Sequence, residues 1–123
     1  MSKILVVDDE AQDRELLKDF LEAKGYDVIT ASGGKEALEK INEKPALVLL
    51  DVMMPDMNGL QVLEKIKETA PSLEVIMVTT LAEVDIALAS FKKGAFDYIT
   101  KTIDLNNLEN VIDLKLLQIS TEE

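Results

Sequence analysis

The stretch "LVLLDVMMPDMNG", Leu47–Gly59, sets four apolar residues in a row, closes them with one acid, Asp51, and turns at once into a Pro, Asn and Gly loop. A short unbroken apolar run bounded by turn residues reads as a strand buried on both faces, as in a parallel sheet. Two further runs share that character: Ile4 to Val7, followed by Asp8-Asp9, and Val75 to Val78, followed by Thr79-Thr80. Two others, "DVITA" with Asp27 and Thr30 and "FDYIT" with Asp97 and Thr100, are mixed in polarity, as edge strands are. Helical patterns fill the gaps, roughly Gln12 to Lys24, Gly33 to Glu43, Leu60 to Thr69, Ala82 to Lys93 and Leu105 to Gln118. Lys24-Gly25 and Lys93-Gly94 mark two helix ends, and Pro45 and Pro71 follow two others.

Strict β/α alternation predicts an α/β domain with a parallel sheet covered on both faces. Three inner strands (first, third, fourth), two outer ones and right-handed crossovers give the order 2-1-3-4-5, a flavodoxin-like doubly wound (βα)5 fold. Its winding reverses between the first and third strands, and ligands bind outside the carboxyl ends of strands at such a point. Asp8, Asp9 and Asp51 converge there. One domain over 1–119 is expected, with 120–123 a C-terminal tail or the start of a linker.

Composition narrows the chemistry. The 123 residues are 47% hydrophobic and 30% charged, which suits one globular domain. There is no Cys and no His, so thiolate or Ser-His nucleophiles and Cys- or His-ligated metals are excluded. A net charge of -11 disfavours direct nucleic-acid binding, and the short apolar runs predict neither a signal peptide nor a membrane span, hence a cytoplasmic protein.

Two carboxylates about 4 Å apart repel by roughly 4 kcal/mol at an effective dielectric near 20. Three on one crevice call for protonation or a cation, and Mg²⁺, held by one or two carboxylates and several waters, suits an all-oxygen site. An Asp beside Mg²⁺ can also accept a phosphoryl group covalently. Thr79 offers a hydroxyl and Lys101 a mobile ammonium to phosphoryl oxygens at neighbouring strand ends. Taken singly, each has an ordinary role: helix capping for Asp8-Asp9-Glu10, a turn for Asp51, strand formation for Thr79, solvation for Lys101.

With "ILVVDDE", "VLLDVMMPDMNG", "VIMVTT" and "GAFDYITK" in order and at matching spacing, the chain closely resembles the receiver domain of two-component response regulators, over essentially its whole length. The resemblance implies a phosphoacceptor signalling domain, not an enzyme. Asp51 takes a phosphoryl group from a sensor histidine kinase or phosphotransfer protein. Asp9, Asp51 and the backbone carbonyl of Met53 bind Mg²⁺, and Asp8 supports it through water. Thr79 and Lys101 contact the phosphoryl group, and Tyr98 is the aromatic switch that follows Thr79. The face of the fourth helix, fifth strand and fifth helix is then the output surface, including for a homodimer.

Departures from the family pattern carry their own expectations. Thr102 stands where a Pro usually follows the lysine. A cis bond before Thr costs about 2.5–4 kcal/mol against about 0.5–1 before Pro, so a trans Lys101-Thr102 bond and a displaced Lys101 are expected. Met53 and Leu81, two past Asp51 and Thr79, cannot orient a hydrolytic water, which predicts slow self-dephosphorylation. The last helix is apolar on more than one stripe, leaving an ordinary leaky surface or a second docking face as alternatives. "KKGAFDYITK" followed by "ID" resembles receivers of the nitrogen-regulatory type. That leaves a stand-alone receiver or a piece of a longer protein with an effector domain. Of the rivals, a haloacid dehalogenase-like Mg²⁺ phosphatase needs an acid where Met53 stands. A flavodoxin-like cofactor carrier needs a phosphate-cradling loop where Asp8-Asp9-Glu10 would repel it.

Overall fold

A computed structural model describes the backbone of residues 2–122 and the side chains of residues 2–117. Five parallel strands, β1 (Lys3–Val7), β2 (Asp27–Ala31), β3 (Leu47–Leu50), β4 (Glu74–Thr79) and β5 (Asp97–Thr100), lie in the order 2-1-3-4-5. Helices α1 (Ala11–Ala23), α2 (Gly34–Lys40), α3 (Gly59–Thr69), α4 (Val84–Lys92) and α5 (Leu105–Glu122) connect and follow them. The three central strands are buried almost throughout and the outer two are half-exposed. This is the arrangement their polarity predicts.

Alternation along each strand sorts its side chains into two cores. Ile4, Val6, Leu47, Leu49, Ile76 and Val78 point to α1 and α5, where they meet Leu17, Leu21, Leu108 and Ile112. On the opposite face Leu5, Val7, Val48, Leu50, Val75 and Met77 meet Ala37 of α2 and Val62, Leu63 and Ile66 of α3. A double-sided sheet of this kind leaves its strand ends as the natural place for polar function.

Each helix departs from its expected bounds at one end or both, and α3 and α2 show two physical reasons. Asn58 accepts from the N–H of Leu60 at 2.7 Å while Gln61 accepts from the N–H of Asn58 at 3.3 Å, so α3 begins at Gly59. The pattern Gly33 to Glu43 splits into α2 and a 3₁₀ turn, Ile41–Glu43, ended by Lys44 at φ 58°. The helical backbone continues through Glu122, beyond the expected domain end at residue 119. On α5 Leu108, Ile112 and Leu116 are buried whereas Leu114 and Leu117 face solvent, so the second apolar stripe exists. Its continuation at Ile119 lies outside the described side chains.

Tyr26, just before β2, donates its hydroxyl to the Asp113 carboxylate of α5. Burial, then this bond and the charge of Asp113, push the phenol up to about 12. A raised folded-state value means the stabilisation is whole below the unfolded value of about 10 and lost as pH rises through about 12. The excess thermal stability of the wild type over Tyr26→Phe is therefore expected to disappear across that window in paired melts. An advantage unchanged at high pH would contradict it.

Candidate phosphoacceptor and metal site

Backbone bonds that run one residue past the strands fix the site. The N–H of Asp8 donates to the Ala31 carbonyl and that of Asp51 to the Val7 carbonyl, both at 3.1 Å. Lys101 donates its N–H to the Thr79 carbonyl at 2.8 Å. Asp8, Asp51 and Lys101 thus leave from peptides still held by the sheet, which gives rigid positioning at the carboxyl ends of the strands.

Carboxylate oxygens of Asp8, Asp9 and Asp51 all lie within 4.8 Å of one another. Asp8 is 2% and Asp51 5% exposed, and Asp9 is more open to solvent. Burial raises the Asp8 carboxyl above its ordinary value; the Lys101 bond opposes that shift and the charge of Asp51 adds to it. Asp8 also accepts from the N–H of Glu10 at 2.9 Å, and Asp51 from that of Met53 at 3.2 Å. Glu10, at the start of α1, makes no capping bond with its own side chain.

Lys101 supplies the positive charge. Its ammonium sits 2.7 Å from Asp8, 2.8 Å from Asp13 and 3.2 Å from Asp51. The displacement expected from Thr102 is therefore overturned. So is the trans bond: the Lys101-Thr102 peptide is cis. The expectation weighed only the intrinsic preference of a non-Pro peptide. Tertiary contacts at both ends of Lys101, its N–H on β4 and its ammonium among three carboxylates, decide the loop instead.

Asp9, Glu10, Asp13, Asp51, Met53, Thr80 and Lys101 line a cavity of about 310 Å³. Asp8, Asp13 and Asp51 share one ammonium beside it, and Asp9 adds a fourth carboxylate close to Asp8 and Asp51. An all-oxygen donor set with this charge excess fits a hard divalent cation. Thr79 is wholly buried at the end of β4, so the cavity wall there is its neighbour Thr80. The Thr79 hydroxyl oxygen accepts from the N–H of Leu81 at 3.4 Å, and Tyr98 donates its hydroxyl to the Leu81 carbonyl at 2.6 Å. Asp8, Asp9, Asp51, Met53 and Lys101 are thus brought together, while Thr79 and Tyr98 are joined to one another through Leu81.

Two acids escaped the sequence reading. Asp13 lies in the first turn of α1, four residues past Asp9, a helical spacing that could have linked it to the site. Asp56 accepts from the N–H groups of Gly34 and Lys35 at 3.0 and 3.1 Å, filling the capping role that Gly33 lacks a side chain to perform. Because Asp56 is remote from α2 in sequence, no local pattern reveals the contact. It ties the loop after β3 to the start of α2.

The fold has known counterparts. A family model described as "Response regulator receiver domain" matches residues 4–113. Over 114 residues the chain is 38% identical to the transcriptional regulatory protein ZraR of Escherichia coli (strain K12), an alignment covering 92% of this chain and 26% of ZraR. A response regulator receiver domain protein (CheY-like) from Methanospirillum hungatei JF-1 superposes with a TM-score of 0.96 at 36% identity, covering 100% of this chain and 99% of that one. NtrX from Brucella abortus superposes at 0.91 with 32% identity, covering 98% of this chain and 28% of NtrX. The chain spans about a quarter of the length of the ZraR regulators it matches.

Proposed function

This chain belongs to the response regulator receiver family, and from that premise we propose that Asp51 is its phosphoacceptor, charged by a sensor histidine kinase or phosphotransfer protein in a Mg²⁺-dependent reaction. The observation that carries the reading is the convergence of Asp8, Asp9 and Asp51 within 4.8 Å, with the Lys101 ammonium beside them. An Asp51 carboxylate oxygen attacks phosphorus, the donor's phosphorus–nitrogen bond breaks, and the histidine ring leaves with the electron pair. Such a transfer needs alignment and charge neutralisation more than proton transfer. Asp9, Asp51 and the Met53 carbonyl would hold Mg²⁺, with Asp8 supporting it through water. When bound, the ion supplies neutralisation of the phosphoryl oxygens. Lys101 adds a second positive charge.

Incubation with Mg²⁺ and a small acyl phosphate, read by intact mass, tests this: one stable phosphoryl adduct is expected. Continuous release of inorganic phosphate without an adduct would favour a phosphatase. Met53, 56% exposed and apolar, offers no proton for that chemistry.

Switching follows from added charge. A phosphoryl group on Asp51 brings acceptor oxygens that draw the Thr79 hydroxyl inward, and Tyr98 repacks behind it. The output face is α4, β5 and α5, where Val84, Leu88 and Phe91 form an exposed stripe at helical spacing. A homodimer or an effector domain would use this face. A cytoplasmic working place goes with a kinase that draws on ATP.

The lifetime of the signal is a separate expectation. Met53 and Leu81 stand two residues past Asp51 and Thr79, and neither side chain can orient a hydrolytic water by hydrogen bonding. Phosphorylated protein freed of donor should lose its adduct over minutes to hours. Decay within seconds in the isolated domain would overturn the expectation.

A further inference from the structure

We propose that Asp13 is a positioning residue for Lys101: it holds the ammonium over the acid cluster in the unphosphorylated domain and releases it to the phosphoryl group on Asp51. The inference rests on Asp51 being the phosphoacceptor.

A lysine ammonium has three N–H donors. Contacts to Asp8, Asp13 and Asp51 at 2.7, 2.8 and 3.2 Å use all of them. An arriving phosphoryl oxygen therefore finds no free donor, and one contact has to yield. Asp8 is a poor one to give up, since a buried carboxylate stripped of its partner is costly. Asp51 loses its carboxylate charge on becoming an acyl phosphate, so its share of the ammonium passes to the phosphoryl oxygens, and any further pairing needs a second contact to yield. Asp13 differs from both: its side chain is 39% exposed, so water can replace the ammonium at little cost. Lys101 is only 9% exposed, so carboxylates and not solvent set where its ammonium rests. Thr102 gives this loop no proline ring to stiffen it, and Asp13 provides an anchor on a different element, α1.

Two opposite effects of Asp13→Asn follow. Without the competing charge, Lys101 pairs more fully with the phosphoryl group, and the adduct level at saturating Mg²⁺ and limiting acyl phosphate rises. In the unphosphorylated protein the freed ammonium leans on Asp8 and Asp51, and one negative charge is lost near the cation. Mg²⁺ affinity measured by calorimetry on the unphosphorylated protein falls, by about three- to tenfold. Asp13→Glu restores the charge and should lie near wild type in both readouts. Asp19→Asn, an exposed acid farther along α1, controls for net charge and should change neither.

If Asp13→Asn behaves like Asp19→Asn in both measurements while wild type forms its adduct, the role assigned to Asp13 is wrong and the Asp51 reading survives. If wild type forms no adduct, the Asp51 reading fails and this inference falls with it. Equal loss of Mg²⁺ affinity in Asp13→Asn and Asp13→Glu, with matching circular dichroism, would also overturn the proposal, because the charge would then not be the cause.

Discussion

Asp51→Asn is expected to abolish the phosphoryl adduct completely while leaving the protein folded and, in the absence of Mg²⁺, more stable than wild type. The amide oxygen of Asn is no nucleophile toward phosphorus under these conditions, so loss should be total rather than graded. Its shape matches Asp, its backbone N–H still reaches the Val7 carbonyl, and its side-chain oxygen can still accept from Met53. What changes is charge. Removing the Asp51 charge from beside Asp8 and Asp9 relieves repulsion worth several kcal/mol per close pair at its upper limit. Wild type recovers that deficit only when a cation binds, since a ligand that prefers the folded state raises its stability in proportion to occupancy. Thermal melts with and without Mg²⁺ should therefore show a large Mg²⁺ shift for wild type and a small one for the variant. An adduct surviving on Asp51→Asn would move the acceptor elsewhere, and equal Mg²⁺ shifts would remove Asp51 from the cation site.

Gly59→Ala should produce the largest loss of stability of any single methyl added near the site. A Cβ at Gly59 would sit within the van der Waals shell of the Asp51 carbonyl oxygen and 2.7 Å from Val52 Cα. Backbone cannot swing aside as a side-chain tip can. The same residue donates its N–H to the Val52 carbonyl at 2.7 Å, so separating the strands of this loop also breaks a hydrogen bond. Overpacking of this kind costs about 3 kcal/mol, a fall in melting temperature of roughly 10 °C for a domain of this size. Because the displaced atoms belong to Asp51 and Val52, phosphorylation by acyl phosphate should fall even in the folded fraction. A variant that melts with wild type would show that the loop after β3 is far more compliant than its packing implies.

Strand order was readable because burial on two faces leaves an unbroken apolar run, and Ile4–Val7, Leu47–Leu50 and Val75–Val78 all have it. The acid cluster was readable because topology alone sends Asp8, Asp9 and Asp51 to one crevice. Contacts made through space were not. Asp56 looks like a turn acid after Pro55, and nothing nearby in sequence says that it caps α2. Lys101 was misjudged for a related reason: the local preference of a peptide bond was weighed, whereas carboxylates drawn from α1, β1 and β3 ends hold the side chain. The start of α3 moved to Gly59 because the Asn58 side chain takes up one of the first free N–H groups.

Leu81 gives its N–H to the Thr79 hydroxyl oxygen and takes the Tyr98 hydroxyl on its carbonyl. On the roles proposed for Thr79, Tyr98 and Leu81, one residue is the shared hinge of a clock and its pointer: its side chain bears on how long the message persists, and its backbone links the two groups that carry it outward.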